Sequence, residues 1–380
     1  MTFLNSQLSS ARAVKLWGIG ILATLLVVAV LAAVATRHYS SPGYLEKKLT
    51  TAIARGNGVN KITIGSSSFN PFRGTFVATD LVFLPDSLLV EERIQAGSAP
   101  RSGYALTVSS FRVHGLRWRP LLRGHILADS ITIDDARFGM NLDRTAGPSP
   151  PLTPATLPHV SFQSLAKPIR VDAIRVSNSR IGYSEKAADG SGYGTINFTE
   201  LAGTIRNVTN DATLMTPTTP CTIDLRTRIA EAGTMRANFT YNLLAPELSL
   251  TYRGSVTRMN VEPLNELLVN LNGIRMTSGV VDTTWFDFKA DGDIAEGRIQ
   301  LVYSDLDFEI LNKVTHERGI GKRIKSFMIT STTLNSANPS DDDDAATVAT
   351  VQRERLPHTP LLKFMWQTLR QGILSTLGLA

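Results

Sequence analysis

From about residue 60 to residue 334 the chain alternates apolar and polar side chains in short runs, with Gly, Asn, Asp and Pro between them. A period of two is the mark of a strand with one covered face and one wet face. Lys61-Ile62-Thr63-Ile64, Thr75-Phe76-Val77-Ala78, Ala105-Leu106-Thr107-Val108, Leu248-Ser249-Leu250-Thr251-Tyr252 and Arg298-Ile299-Gln300-Leu301-Val302-Tyr303 are examples. Some 18–22 such strands at about 4.8 Å spacing predict a sheet roughly 90–100 Å across before twist shortens it. With few helices to cover the apolar side, the sheet is expected to curl over itself or over another apolar material.

Helical spacing interrupts this pattern in few places. Pro42 to Arg55 and Val261 to Leu271 each carry apolar residues on one face. Leu361 to Leu379 places Leu362, Met365, Trp366, Leu369, Ile373 and Leu377 on one face, with Lys363, Gln367, Arg370 and Gln371 opposite. This amphipathic helix either packs on the sheet or lies in a membrane interface or against a partner. Pro148, Pro150, Pro151, Pro154 and Pro158 make residues 145–160 a loop that cannot join a sheet, since proline lacks the ladder donor.

One stretch exceeds what a globular helix needs. Leu16 to Ala35 is twenty residues without a charge, enough to span a hydrocarbon core of roughly 30 Å. It reads as a retained membrane anchor, or, because Ala33-Val34-Ala35 resembles a processing site, as a cleaved signal peptide. Both readings export the remainder of the chain. The chain then divides into a cytoplasmic tail (1–15), an anchor (16–36), an exported β-rich domain (37–335), a polar, acidic linker around Asp341 to Asp344 (336–357) and a C-terminal helix (358–380).

Composition removes several function classes. The 380 residues are 43% hydrophobic and 19% charged, which excludes a disordered chain, and a single cysteine, Cys221, excludes a disulfide framework or a cysteine-rich zinc module. The six histidines show no metal-ligand spacing. Asp134-Asp135 reads as a strand turn, Asp291-Gly292-Asp293 as a hairpin turn, and Gly190 to Gly194 as a hairpin tip. No nucleophile elbow or phosphate loop is present, so no enzyme activity and no cofactor are expected. The net charge of +6 comes from dispersed basic residues, which argues against nucleic acid and for anionic lipid headgroups. The densest cluster, Arg117, Trp118, Arg119 and Arg123, is the candidate headgroup or partner contact, against the plainer reading of a solvated loop.

Two segments repeat in sense. Ala128 to Met140 and Val171 to Tyr183 align on Asp129/Asp172, Ile131/Ile174, Ile133/Val176 and Arg137/Arg180, each read as a strand, a turn and a return strand. With the N-terminal anchor, the stretch from Gly292 to Leu311 (Gly297, Leu301, Tyr303, Asp305-Leu306), the basic Gly321 to Phe327 run and the closing Trp366…Gly372 helix, the chain resembles the AsmA-like family of bacterial envelope proteins. The resemblance implies a mainly β fold: an elongated, curled antiparallel sheet, groove-like or taco-like, on a single-pass inner-membrane anchor with the bulk of the chain in the periplasm. It further implies phospholipid bound or conducted along an apolar groove, in outer-membrane lipid homeostasis. The alternative is an envelope assembly factor that holds outer-membrane protein precursors or other envelope proteins, and a homo-oligomer stays open. Ile133, Val176 and Phe198 are the groove candidates.

Overall fold

The computed structural model describes residues 59–98, 100–143, 145–146, 153–187, 190, 192–215, 219–311, 335–340 and 345–378. The anchor at 16–36, the Pro42 to Arg55 stretch, the basic run at Gly321 to Phe327 and the four consecutive aspartates lie outside them. Among the described residues no helix is long and apolar enough to cross a membrane.

One curled sheet takes up thirteen strands among the described residues. They are β1 (Asn60–Asn70), β2 (Thr75–Pro85), β3 (Ser102–His114), β4 (Ile126–Asp143), β5 (Ile169–Lys186), β6 (Tyr193–Thr209), β7 (Cys221–Ile229), β8 (Gly233–Tyr241), β9 (Ser249–Val256), β10 (Met259–Asn260), β11 (Ile274–Asp291), β12 (Ile294–Ile310) and β13 (Val348–Glu354). Neighbours in space are neighbours in sequence throughout, except that β11 follows β9 and the two-residue β10 pairs with β11 alone. The mainly β architecture expected from the alternation is present, and the sheet is largely antiparallel. β13 lies inside the span read as a polar linker: Ala349 and Val351 alternate with polar residues there and turn inward.

Strand length departs from expectation. Five strands, β4, β5, β6, β11 and β12, run for 17 or 18 residues, so there are fewer and longer strands than the short runs suggested. The reason is visible at Asp134-Asp135, which is a kink within one strand, not a turn between two. Asp135 adopts φ 49°, and Asn178, at the equivalent place on β5, adopts φ 51°. Asp and Asn enter this left-handed region at lower cost than other side chains, and one such residue bends a strand without ending it. The Asp134 carboxylate accepts from Ser177 Oγ (2.7 Å) and Asn178 Nδ2 (2.8 Å), while Asp135 accepts from Ser109 Oγ (2.7 Å), which ties the kinks of β4 and β5 to each other and to β3.

The repeated segments turn out to be neighbours. β4 and β5 pair in parallel, and their register joins Ile131 to Ile174, Ile133 to Val176 and Arg137 to Arg180, three of the four aligned pairs. All other pairings in the sheet are antiparallel. Each repeat is thus one kinked strand instead of a strand, turn and return strand, and the sheet contains one parallel joint. Lys186 Nζ reaches Asp143 at 3.1 Å where this joint ends. The Thr145 hydroxyl and then Lys186 hold the Asp143 carboxyl at about 2.

A parallel joint requires the chain to return along the full strand before pairing, which no tight turn can do. The proline-rich loop supplies that crossover. It ends in the short helix α3 (Pro158–Gln163), which follows α1 (Ser87–Gln95) and α2 (Trp118–Leu121). Leu157 is buried in a cluster formed by the C-terminal strands, Leu165 packs on a cluster formed by the N-terminal strands, and Phe162 touches both. Ala155 N donates to Pro357 O at 2.8 Å, linking the crossover to the segment after β13. His159 is 2% exposed, with Nδ1 3.0 Å from the Tyr241 hydroxyl.

Two further helices cover the apolar face. α4 (Asn265–Asn272) precedes β11 and reaches back to β6, where Asn270 Nδ2 donates to Tyr193 O at 2.8 Å. Gly194 admits it: a Cβ there would stand 2.5 Å from Leu271 Cγ. β7, β8 and β9 separate β6 from β11 in the sheet, so the contact requires the curl. α5 (Leu361–Thr376) docks on β12 and β13 through Leu361, Phe364, Met365, Thr368 and Gly372. A Cβ on Gly372 would lie 2.2 Å from Ile299 Cγ2, so only glycine allows this approach. The face expected to act as a unit is therefore divided. Met365, Leu369 and Ile373 pack on the sheet, Leu377 joins a small cluster with Val261, Tyr303 and Leu306, and Leu362 and Trp366 remain exposed.

Phe364→Ala is expected to cost about 3–5 kcal/mol and Leu362→Ala less than about 0.5 kcal/mol, read from denaturant unfolding of the full chain. Equal losses would contradict the docking described. A second expectation concerns pH. Burial, then the charge of Arg355, holds the His159 imidazole below its ordinary 6.5, so the neutral ring is the folded form. The unfolded chain takes up this proton first as pH falls below 6.5, and stability drops from there until the folded ring also titrates. Thermal midpoints followed through that window should fall more steeply for the native chain than for His159→Gln.

Candidate functional site

The register of the sheet brings one residue from each strand except β10 into line. Phe69, Phe76, Val113, Ile131, Ile174, Ile205, Ile223, Phe239, Tyr252, Phe288, Gly297 and Val351 are successive cross-strand partners from β1 to β13. Eleven of the twelve are apolar or aromatic. A second row beside it runs Ala78, Phe111, Ile133, Val176, Gly203, Leu225, Ala237, Gly254, Phe286, Ile299 and Ala349. Cross-strand partners share a face of the sheet, so both rows lie on the face that carries the cores. A third row, Phe138, Ile181, Phe198 and Ile229, crosses β4 to β7 beyond the kinks at Asp135 and Asn178.

Burial varies systematically along each row. At the N-terminal end Phe76, Val113 and Ile131 are 0%, 0% and 1% exposed, and at the C-terminal end Tyr252 and Phe288 are each 1% exposed. These ends belong to the two large hydrophobic clusters, the second closed by α5 and held by stacking of Tyr252 on Phe288 with ring centroids 5.3 Å apart. Between them, on β5 to β8, Ile174, Ile205, Ile223 and Phe239 are only half-buried. Val176, Ile181, Phe198, Ile223 and Leu225 pack into none of the clusters. The outcome is a continuous apolar band, filled at both ends and half-covered in the middle. α3 borders it at the strand ends near Tyr241, and α4 at the opposite ends near Tyr193.

The predicted groove residues fall in or beside this band. Val176 and Phe198 are band residues on β5 and β6, while Ile133, the register partner of Val176, is half-buried against the N-terminal cluster. Ile223 and Leu225 on β7 and Ile181 on β5 complete it and were not anticipated, although Cys221-Thr222-Ile223-Asp224-Leu225 alternates like the other strands. Alternation marks which side chains share a face; it does not reveal which segment of that face goes uncovered. Arg117, Trp118, Arg119 and Arg123 lie elsewhere, on and around α2, at one end of β3 and β4.

Cys221 is buried at the rim, and loss of water pushes its thiol up to about 12. Among the described residues no three His, Cys, Asp or Glu side chains come together to hold a metal ion. The chemistry open to the band is apolar contact: covering a half-exposed Val, Ile, Leu or Phe removes water from surface worth about 25 cal/mol per Å².

No protein-family model matches the chain, and no curated protein matches it.

Substitutions along one row test the asymmetry of burial. Ile131→Ala should destabilise the chain by about 2–5 kcal/mol and Ile223→Ala by clearly less, because the second side chain leaves no closed cavity behind it. Denaturant midpoints compared between the two variants provide the check.

Proposed function

We propose that this protein is a non-enzymatic lipid-binding protein of the AsmA-like kind. In this reading residues 16–36 anchor it in a bacterial inner membrane, the sheet stands in the periplasm, and its curled apolar face is a groove for phospholipid. The observation that carries the reading is the band at Val176, Ile181, Phe198, Ile223 and Leu225, apolar across β5 to β7 yet packed into no core among the described residues. Soluble proteins rarely keep a contiguous apolar surface without an occupant.

The dimensions suit an acyl chain. From Ile205 to Phe198 the band covers about 20 Å along the strand, and an acyl chain reaches roughly 15 Å across half of a 30 Å bilayer core. Twelve strands place the whole row within about 50 Å before curvature, roughly half the span inferred from counting short runs. Because both ends of the row are filled by side chains, one copy is better suited to holding lipid than to conducting it through an open conduit. In this role the groove supports outer-membrane lipid homeostasis by carrying phospholipid.

A photo-crosslinking residue at Val176, Phe198 or Leu225 of the full chain in cells should capture phospholipid, identified by mass spectrometry after extraction. The same residue at Phe76, fully buried in the N-terminal cluster, should capture none. Capture of protein alone from the band would replace the lipid reading with that of an assembly factor.

A further inference from the structure

Two exposed turns meet at one end of the sheet. The β1–β2 hairpin turns at Asn70 to Gly74, where the Asn70 side chain accepts from the backbone N–H groups of Phe72 and Arg73, both at 3.1 Å. This turn presents Phe72 to solvent at 99% exposure. Leu116 N donates to Gly74 O at 2.8 Å, which holds the hairpin tip against the start of the second turn. There Arg117 N donates to Leu127 O at 2.8 Å and Leu121 is buried in the N-terminal cluster, so α2 is pinned with Trp118 and Leu122 outward, 42% and 56% exposed.

Basic residues surround these three apolar side chains. Arg73, Arg117, Arg119 and Arg123 are all exposed. Arg117 pairs with Asp129 at 2.9 Å, whereas Arg73, Arg119 and Arg123 make no ion pair among the described residues. The Arg119 guanidinium stands 5.4 Å from the centre of the Trp118 ring. Lys167 adds a further exposed cation, its stem lying beside Gly124.

We propose that this tip docks on a membrane surface rich in anionic phospholipid, independently of whether the band holds lipid. Phe and Trp rings favour the headgroup boundary, a leucine adds apolar area just below it, and arginines draw the tip to a negative surface. The backbone hydrogen bonds fix both turns beforehand, so docking orders little that is not already ordered. The contrast with α1 supports the choice of an anionic surface. That helix also exposes apolar side chains, Leu88, Leu89 and Ile94, but it carries Glu91 and Glu92 among them and follows Asp86. A negative membrane repels such a patch.

The test uses the full chain held in phosphatidylcholine nanodiscs and mixed with sedimenting vesicles. Vesicles containing phosphatidylglycerol should bind it and vesicles of phosphatidylcholine alone should not, with binding weakening as salt rises. Arg119→Gln with Arg123→Gln should lower affinity roughly thirtyfold at low salt, at about 1 kcal/mol for each arginine. Phe72→Ala, at a side chain that touches almost nothing in the fold, should lower it further without changing the thermal midpoint. Leu88→Ala with Ile94→Ala on α1 should leave binding unchanged. Equal binding to both vesicle types, full binding by the arginine variant, or an equal loss from the α1 variant would each overturn the proposal.

Discussion

An apolar row that passes through every long strand of a wide sheet commits the protein to covering that face. Water penalises each uncovered side chain, and the penalty grows with every strand added. Helices α3, α4 and α5 and the curl of the sheet itself meet this demand. They suffice at the two ends, where Phe76, Phe111, Tyr252, Phe288 and Phe364 disappear from solvent. In the middle they fall short, and the half-covered band on β5 to β8 is the consequence.

The parallel joint between β4 and β5 decides where the shortfall lies. Two similar kinked strands set side by side in the same direction need a long return path, and the proline-rich crossover provides it. The described part of that crossover, from Thr153 onward, does not run over the outer surface. Leu157, Phe162 and Leu165 bring it under the sheet, and its link to Pro357 draws the C-terminal end toward the joint. The segment that permits the parallel pairing thereby also shapes the curl. Buried His159 and Tyr241 fasten it with a polar contact, and burial keeps the imidazole neutral there.

Much of the strand content was legible in the chain because alternation is local. Ile62 and Ile64, Phe76 and Ala78, Leu250 and Tyr252, and Ile299 all face inward as their spacing indicates. Strand ends were harder to read. Asp134-Asp135 has the composition of a turn, and only the neighbouring strands, through Ser109, Ser177 and Asn178, show that the chain continues through it. The C-terminal helix was legible as an amphipathic element, but its docked face is rotated. Phe364 and Gly372 govern the contact, the first by filling the core and the second by omitting a side chain that would strike Ile299.

Periodicity by itself determined that the stretch from residue 60 to residue 310 is mainly strand, that each strand has one apolar face, and that the segments around Ile131 and Ile174 are equivalent. Those properties follow from the steric alternation of neighbouring residues and need no partner. Tertiary structure alone decided that the equivalent segments pair in parallel, that the apolar faces fall into register across twelve strands, and that Phe72 and Trp118 share one tip. Each of these depends on which distant backbone groups share hydrogen bonds, and that choice is made by covering as much of the apolar face as the helices and the curl can reach.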